Sequence, residues 1–345
     1  MSSNGIKILQ SLHALGGRAA LADLHGAYSY GALASGALRV SSAIQAVRVA
    51  PSDGRPPRIA YMCPRDNTYV QSQLATWHYG GIGVPIAEGY PPSEIEYILR
   101  DCGVSAVLSD ATRAEALAPV AAALGIPCVN VDRLTPTGKV LSDLNVTATG
   151  ENPPAPFPAG MDGAILIYTS GTTGRPKGVL TTHAALSAQV NALRLAWDWT
   201  PQDHIYSVLP LHHVHGVVAL LNSALWSGAV CEIAHKFSAT DTWAALTRLP
   251  DSPAGQLTLF MAVPTVFAML LDAFDKQPVE IQERWRAALR PEVSKIRLMV
   301  SGSAALPQSV ADRWLAVTGH RLLERYGECV CDIYTESSNA NRSLN

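Results

Sequence analysis

Residues 164–178 read Ala-Ile-Leu-Ile-Tyr-Thr-Ser-Gly-Thr-Thr-Gly-Arg-Pro-Lys-Gly, and these residue types suit one kind of chemistry. Gly171 and Gly174 let the backbone turn its N–H groups inward around an oxyanion. The hydroxyls of Thr169, Ser170, Thr172 and Thr173 add donors, and Lys177 adds a positive charge. Such a set fits the outer phosphates of a nucleoside triphosphate. The segment is not the common GxxxxGK[ST] loop: Lys177 follows Pro176 instead of glycine, and Gly178 stands where that loop places its magnesium-holding hydroxyl. A flexible Ser/Thr/Gly linker is the plain alternative. The apolar run Ala164–Tyr168 argues against it, because linkers are flanked by polar sequence. A second group, His212, His213 and His215, lies within Leu209–Gly216. Three histidines suggest a metal, but neighbours on a strand point to opposite faces and no carboxylate stands nearby, so no metal ligand is assigned. The third, Ser301-Gly302-Ser303 before Pro307, reads as a strand-to-helix turn with proline opening the helix.

These groups need a sheet to hold them. Between about residues 58 and 131, apolar runs at 58–62, 82–86, 106–108 and 125–131 alternate with helical patterns at 69–80 and 93–101. That alternation is the pattern of βαβ units on a mostly parallel sheet. Ser93 with Glu94 and Glu96 reads as the opening turn of the second helix, with Gly103 past its end. Residues 134–160 carry Pro136, Gly138, Pro153, Pro154, Pro156, Pro158 and Gly160 and sustain neither period. A second alternating run follows: strand 164–168, helix 183–197, strand 204–209, helix 216–226, strands 229–234 and 257–263, helices 264–275 and 279–289, strand 296–300, helix 307–317. The expected organisation is a first α/β subdomain over 12–133, a connection over 134–160 and a second α/β subdomain over 161–327. A polar, aperiodic tail at 328–345 is expected to be disordered.

A chain of 345 residues allows two or so packing units with a substantial core. Lys plus Arg total 26 against 28 for Asp plus Glu, a net charge of −2, which gives no electrostatic reason to expect nucleic acid or an anionic membrane as partner. A small-molecule partner is the better expectation. The apolar run 214–233 is broken by His215, Asn222, Ser223, Ser227 and Glu232, so it reads as a buried helix and a strand instead of a membrane span. Six cysteines are too thinly spread for a disulfide framework, and Cys329-Val-Cys331 lacks the second pair that zinc needs. The start has neither a signal pattern nor an Arg-rich amphipathic stretch. A soluble intracellular protein of cytoplasm or mitochondrion is expected.

Thr169–Gly178 after a hydrophobic strand resembles, over ten consecutive residues, the signature of the adenylate-forming superfamily of acyl-CoA synthetases, luciferases and peptide-synthetase adenylation domains. Leu209–Gly216 resembles the family's PLxH segment, Val300–Pro307 its adenine-pocket loop, and Glu324–Gly327 the strand whose tyrosine packs on adenine. The segments fall in the family's order. The resemblance implies the N-terminal AMP-binding synthetase domain, an α/β fold incomplete at its C-terminus. It also implies an ATP-dependent acid–thiol ligase: a carboxylate attacks the α-phosphate of ATP, giving acyl-AMP and pyrophosphate, and the thiol of coenzyme A then forms the thioester. ATP, Mg2+ and coenzyme A are the implied cofactors. By the same resemblance Thr169, Ser170, Gly171, Thr172, Thr173, Gly174 and Lys177 hold phosphates. Gly302, Ser303, Ala304, Ala305, Tyr326 and Gly327 hold adenine, and His213 orients the carboxylate, with Lys177 and His213 the catalytic residues.

Within the superfamily LPLHHVHG, RLMVSGSAALP and GHRLLERYG most resemble malonyl-CoA synthetases, the acyl-CoA synthetase family member three group. Malonate or methylmalonate is the implied acid, and its distal carboxylate needs a donor, since an unpaired buried charge is costly. Ser303 is one candidate. Relatives place an arginine on the helix after the Pro-Thr pair, where this chain has Met269, which leaves Arg297 or a pocket histidine as substitutes and a longer apolar acid as the other substrate class. After Gly327 the resemblance breaks: the family continues Met-Thr-Glu, this chain Glu328-Cys329-Val330. Glu328 falls two positions early and is not assigned to magnesium. The family's ribose aspartate, hinge and C-terminal lysine are not found, so impaired turnover is expected. The alternative reading is a catalytically inactive nucleotide- or partner-binding remnant.

Overall fold

The computed structural model describes residues 3–49, 56–144, 163–169, 175–325 and 334–335. They form two seven-stranded sheets. The strands are β1 (Ala19–Asp23), β2 (Gly26–Ser29), β3 (Arg58–Met62), β4 (Ile82–Pro85), β5 (Val104–Ser109), β6 (Cys128–Asn130), β7 (Gly163–Thr169), β8 (Lys177–Thr182), β9 (His204–Ser207), β10 (Val230–Ile233), β11 (Leu259–Ala262), β12 (Leu298–Gly302), β13 (Leu322–Arg325) and β14 (Tyr334–Thr335). One sheet runs β14-β8-β7-β4-β3-β5-β6, the other β13-β12-β11-β9-β10-β1-β2. All neighbours are parallel except β14–β8, β8–β7 and β1–β2. The mostly parallel α/β architecture is the one expected.

The layers follow from which face of each strand is apolar. Between the sheets, α2 (Tyr30–Ala46), α3 (Asn67–Tyr79) and α6 (His183–Ala196) pack on Ile59, Tyr61, Ile165 and Ile167 of the first sheet and on Ile205, Met261 and Val300 of the second, and α1 (Ser3–Ala14) adds Leu9 and Leu12 to the same core. Outside the first sheet, α4 (Pro92–Asp101) and α5 (Ala111–Ala123) bury Ile95, Ile98, Leu99 and Leu117. Outside the second, α8 (Ala239–Leu246 by its chain position, after the short α7 at Ser223–Trp226), α9 (Pro264–Asp275), α10 (Val279–Ala288) and α11 (Gln308–Thr318) gather Trp243, Phe267, Trp285 and Trp314. Covering both faces of each sheet is what parallel pairing demands. The buried α3 is capped by Asp66, whose carboxylate accepts from the Thr68 N–H at 2.8 Å, and ends on left-handed Gly80.

Several expectations change. The sheets do not divide at 134–160: β7 and β8 complete the sheet built by residues 58–130, and β1, near the start of the chain, pairs onto β10 of the other and carries β2 at its edge. Residues 177–182 form a strand, β8, because Val179, Thr181 and Thr182 suit a pleated edge beside β7. Tyr334 and Thr335, within the tail expected to be disordered, add antiparallel to Leu180 and Val179 on the open edge of β8. α4 starts at Pro92 with no side-chain cap, so Ser93 lies inside it. The helix expected over 216–226 is a π-helix, His215–Asn222, continued by α7.

Candidate active site

Where the chain leaves β7, Thr169 pairs with Lys177 across the hairpin, and the Thr169 hydroxyl lies 3.5 Å from the Lys177 carbonyl. Ser170, Gly171, Thr172, Thr173 and Gly174 lie outside the described residues, as do Tyr326 and Gly327. The structure therefore gives the two ends of the expected phosphate loop, with Lys177 exposed at the start of β8. A glycine follows it for a steric reason: a Cβ on Gly178 would come within 2.8 Å of Leu166 and 3.1 Å of the Tyr168 ring.

At the carboxyl ends of the parallel strands of the second sheet, the turn after β9 carries the histidines. They do not lie on a strand pointing apart, as expected. Pro210–His213 is a turn, and the His212 and His213 rings meet at 4.4 Å with a 51° tilt. Burial lowers the pKa of both; for His212, His213 and Arg65 add to this and bring it to about 4. His212 also meets Tyr90 edge-on at 6.2 Å and lines a cleft of about 570 Å³ between the sheets, with Cys63, Tyr69 and Leu211. Arg65 spans this cleft, donating to the Val208 and His235 carbonyls at 2.9 Å each.

The residue that meets Ser303 is His215, two positions past the His213 expected to orient the acid. His215 Nδ1 and the Ser303 hydroxyl lie 3.0 Å apart, joining segments 88 residues apart in sequence. Two glycines permit this. A Cβ on Gly216 would overlap the Pro210 carbonyl oxygen, so only glycine lets the π-helix start this close to the turn. On Gly302 a Cβ would lie 3.0 Å from His215 Cε1 and 3.3 Å from the Arg325 carbonyl. Ser303 itself takes φ +68°, a left-handed conformation that costs a non-glycine residue and aims its hydroxyl back at His215. His215 is 4 % exposed, and its Nε2 has no hydrogen-bond partner among the described residues. Burial, with the charge of Arg325, pushes its pKa down to about 4, so the ring is neutral at pH 7. Ala304 and Ala305 are exposed beside Ser303, ahead of Pro307 at the cap of α11.

Sequence reasoning gave a named role in the histidine cluster to His213 alone and left His215 without one. Its signal was the pair of glycines, Gly216 and Gly302, each explained by close approach. Arg297 is not a free donor for a substrate. It lies at the amino end of β12, and its guanidinium is spent on both Asp203 carboxylate oxygens, at 3.0 and 2.7 Å, and on the Trp197 and Asp198 carbonyls. Met269 lies half-exposed on α9. Among the described residues no three His, Cys, Asp or Glu side chains come together to hold a metal ion, and no residue is assigned to magnesium.

Two mostly parallel sheets, the β7–β8 hairpin on one and the His215–Ser303 cluster at the strand ends of the other, make up the α/β fold on which the site residues stand. The chain belongs to the AMP-binding enzyme family, whose model matches residues 10–342, past the break expected after Gly327. It is 42 % identical over 319 residues to the mitochondrial malonate–CoA ligase of Homo sapiens, covering 91 % of this chain and 53 % of that protein. It is 35 % identical over 321 residues to the malonate–CoA ligase of Arabidopsis thaliana, covering 87 % and 51 %. The apo crystal structure of MatB from Rhodopseudomonas palustris superposes with a TM-score of 0.73 at 25 % identity, covering 99 % of this chain and 63 % of that one. A malonyl-CoA ligase complex with methylmalonyl-CoA and AMP gives 0.71 at 28 % identity, covering 93 % and 60 %. The chain thus spans about half the length of the curated relatives it matches. Among the described residues no helix is long and apolar enough to cross a membrane.

Proposed function

We propose that this chain carries the ATP- and acid-binding half of an AMP-forming acid–CoA ligase, with malonate or methylmalonate as the acid. The supporting observation is the His215–Ser303 contact, which leaves a buried imidazole nitrogen unspent among the described residues where the two expected substrate segments meet. We assign Ser303 as the donor to Nδ1, the tautomer that puts the ring proton on Nε2. A buried N–H without an acceptor is costly, and the distal carboxylate of a small dicarboxylic acid would relieve it. This gives the pocket histidine, with Ser303 fixing its tautomer, the part that Met269 and Arg297 do not play.

In this reading Thr169 and Lys177, at the two ends of the loop, hold the outer phosphates of ATP with the loop donors Ser170 to Gly174. His213 orients the reacting carboxylate. The carboxylate oxygen attacks the α-phosphorus, pyrophosphate leaves, and the thiol of coenzyme A then displaces AMP from the acyl carbon. The chain's own residues contribute position and charge, the terms that dominate such transfers. Gly302 to Ala305 and Tyr326 hold adenine, and magnesium would neutralise the leaving pyrophosphate when bound.

Isothermal calorimetry of the full chain with ATP and AMP tests this. Lys177→Ala is expected to weaken ATP roughly ten- to a hundredfold, the scale of one lost charge-assisted contact, and to leave AMP unchanged. Equal weakening of both nucleotides would remove Lys177 from the outer phosphates and the reading with it.

A further inference from the structure

α4 lies on the outer face of the first sheet and holds both arms of the hairpin that carries the phosphate loop. On the arm leaving the loop, the Tyr97 hydroxyl donates to the Pro176 carbonyl at 3.0 Å, and the Arg175 guanidinium carbon sits 5.3 Å from the centre of the Tyr97 ring. On the arm entering it, the Tyr168 hydroxyl donates to Asp101 at 2.8 Å. The Tyr97 and Tyr168 rings meet edge-on, 6.4 Å apart at 79°.

The packing of α4 does not require these contacts, because Ile95, Ile98 and Leu99 already bury it against the sheet. The hairpin does have a use for them. Its ladder stops at Thr169–Lys177, so Arg175 and Pro176 lie beyond the last strand pair. Pro176 has a fixed φ and no N–H to donate, which leaves its carbonyl as the backbone handle by which this arm is oriented. The next residue is Lys177. Tyr97 engages both residues of the arm, the proline through its hydroxyl and the arginine through its ring. It thereby holds one of the two basic side chains flanking Pro176 over its own ring on α4.

We infer that Tyr97 is a positioning residue for triphosphate binding: it fixes the Arg175–Pro176 arm so that Lys177, and not Arg175, reaches the outer phosphates. This rests on the role proposed above for Lys177.

The test is calorimetric titration of the full chain and its variants with ATP and with AMP, alongside thermal melting. Tyr97→Phe keeps the ring beneath Arg175 and removes the hydroxyl. ATP affinity is expected to fall about three- to tenfold, the worth of one neutral hydrogen bond, with AMP affinity and the melting midpoint unchanged. Tyr97→Leu removes ring and hydroxyl and is expected to lose more ATP affinity, again without loss for AMP. A purely structural role would lower both nucleotides and the melting midpoint together, which overturns the inference. It is also overturned, with the functional reading intact, if both Tyr97 variants bind ATP like the parent while Lys177→Ala weakens ATP selectively. If the parent binds ATP no better than AMP and Lys177→Ala changes neither, the functional reading fails and the inference falls with it.

Discussion

Lowering the pH from 7 to 5 asks whether His215 is the buried neutral imidazole that the site requires. Its burial, with 4 % of its surface exposed, and the nearby Arg325 charge bring its pKa from 6.5 to about 4 in the folded protein. Between those values the unfolded chain binds the proton that the folded chain refuses, so stability is full above pH 6.5 and falls as the pH drops toward 4. At pH 5 the difference in proton binding amounts to about 2 kcal/mol, rising to about 3 kcal/mol once the window is crossed. Urea unfolding at pH 7 and pH 5, for the parent and His215→Leu, isolates this residue. His212, His213, His78 and His320 are shifted the same way but remain in both proteins. The parent should lose about 2 kcal/mol more than the variant between the two pH values. Equal losses would show that His215 is not the source, and so would an NMR titration in which its ring protonates near pH 6.5.

Gly302→Ala should displace the His215 ring from Ser303, because the added Cβ falls 3.0 Å from Cε1 with the Arg325 carbonyl closing the other side. A loss of about 1–3 kcal/mol in urea unfolding is expected, as for other overpacked sites, and an unchanged midpoint would show that the ring has room. Away from the site, Arg248 donates to both oxygens of Glu232 at 2.6 and 2.7 Å, with His204 at 3.2 Å. Burial opposes ionisation of Glu232, but these partners hold its pKa at about 2, so its contribution is present above pH 4.5 and lost as the pH falls toward 2. Arg248→Met should cost about 3 kcal/mol at pH 7 by stranding that carboxylate, measured by urea unfolding; a loss under about 1 kcal/mol would show that water reaches it.

How much of this was legible depended on whether the cause was local. The strand at 164–168, the helices at 264–275 and 279–289 and the alternation over 58–131 follow from apolar spacing and flanking glycine or proline, and all appear within a few residues of their expected places. The sheet to which each strand belongs was not legible. β1 is a short alanine-rich run whose partner, β10, lies about two hundred residues on, and nothing in its own period names it. β8 was hidden because the glycine and lysine that mark the loop also begin the strand.

The π-helix shows why the site was only half readable. His213 and His215 differ in sequence by position alone, and the PLxH resemblance gave the role to the first. The second is carried to Ser303 by a widened turn, of a kind often found at functional sites, that no hydrophobic period predicts. One of its backbone carbonyls, that of Val218, accepts from the Ser223 hydroxyl at 3.2 Å, and the Asn222 side chain at its end is held by Gln73 of α3, whose amide donates to Oδ1 at 2.7 Å. Gly216 removes the clash with Pro210, and Gly302 removes the clash with the imidazole itself. Each of these residues has an ordinary reading when taken singly, as a helix glycine, a strand-end glycine or a core amide. Together they press one buried ring against one strained serine, so a change at Gly216, which faces the Pro210 carbonyl, should disturb the same histidine that Gly302→Ala displaces.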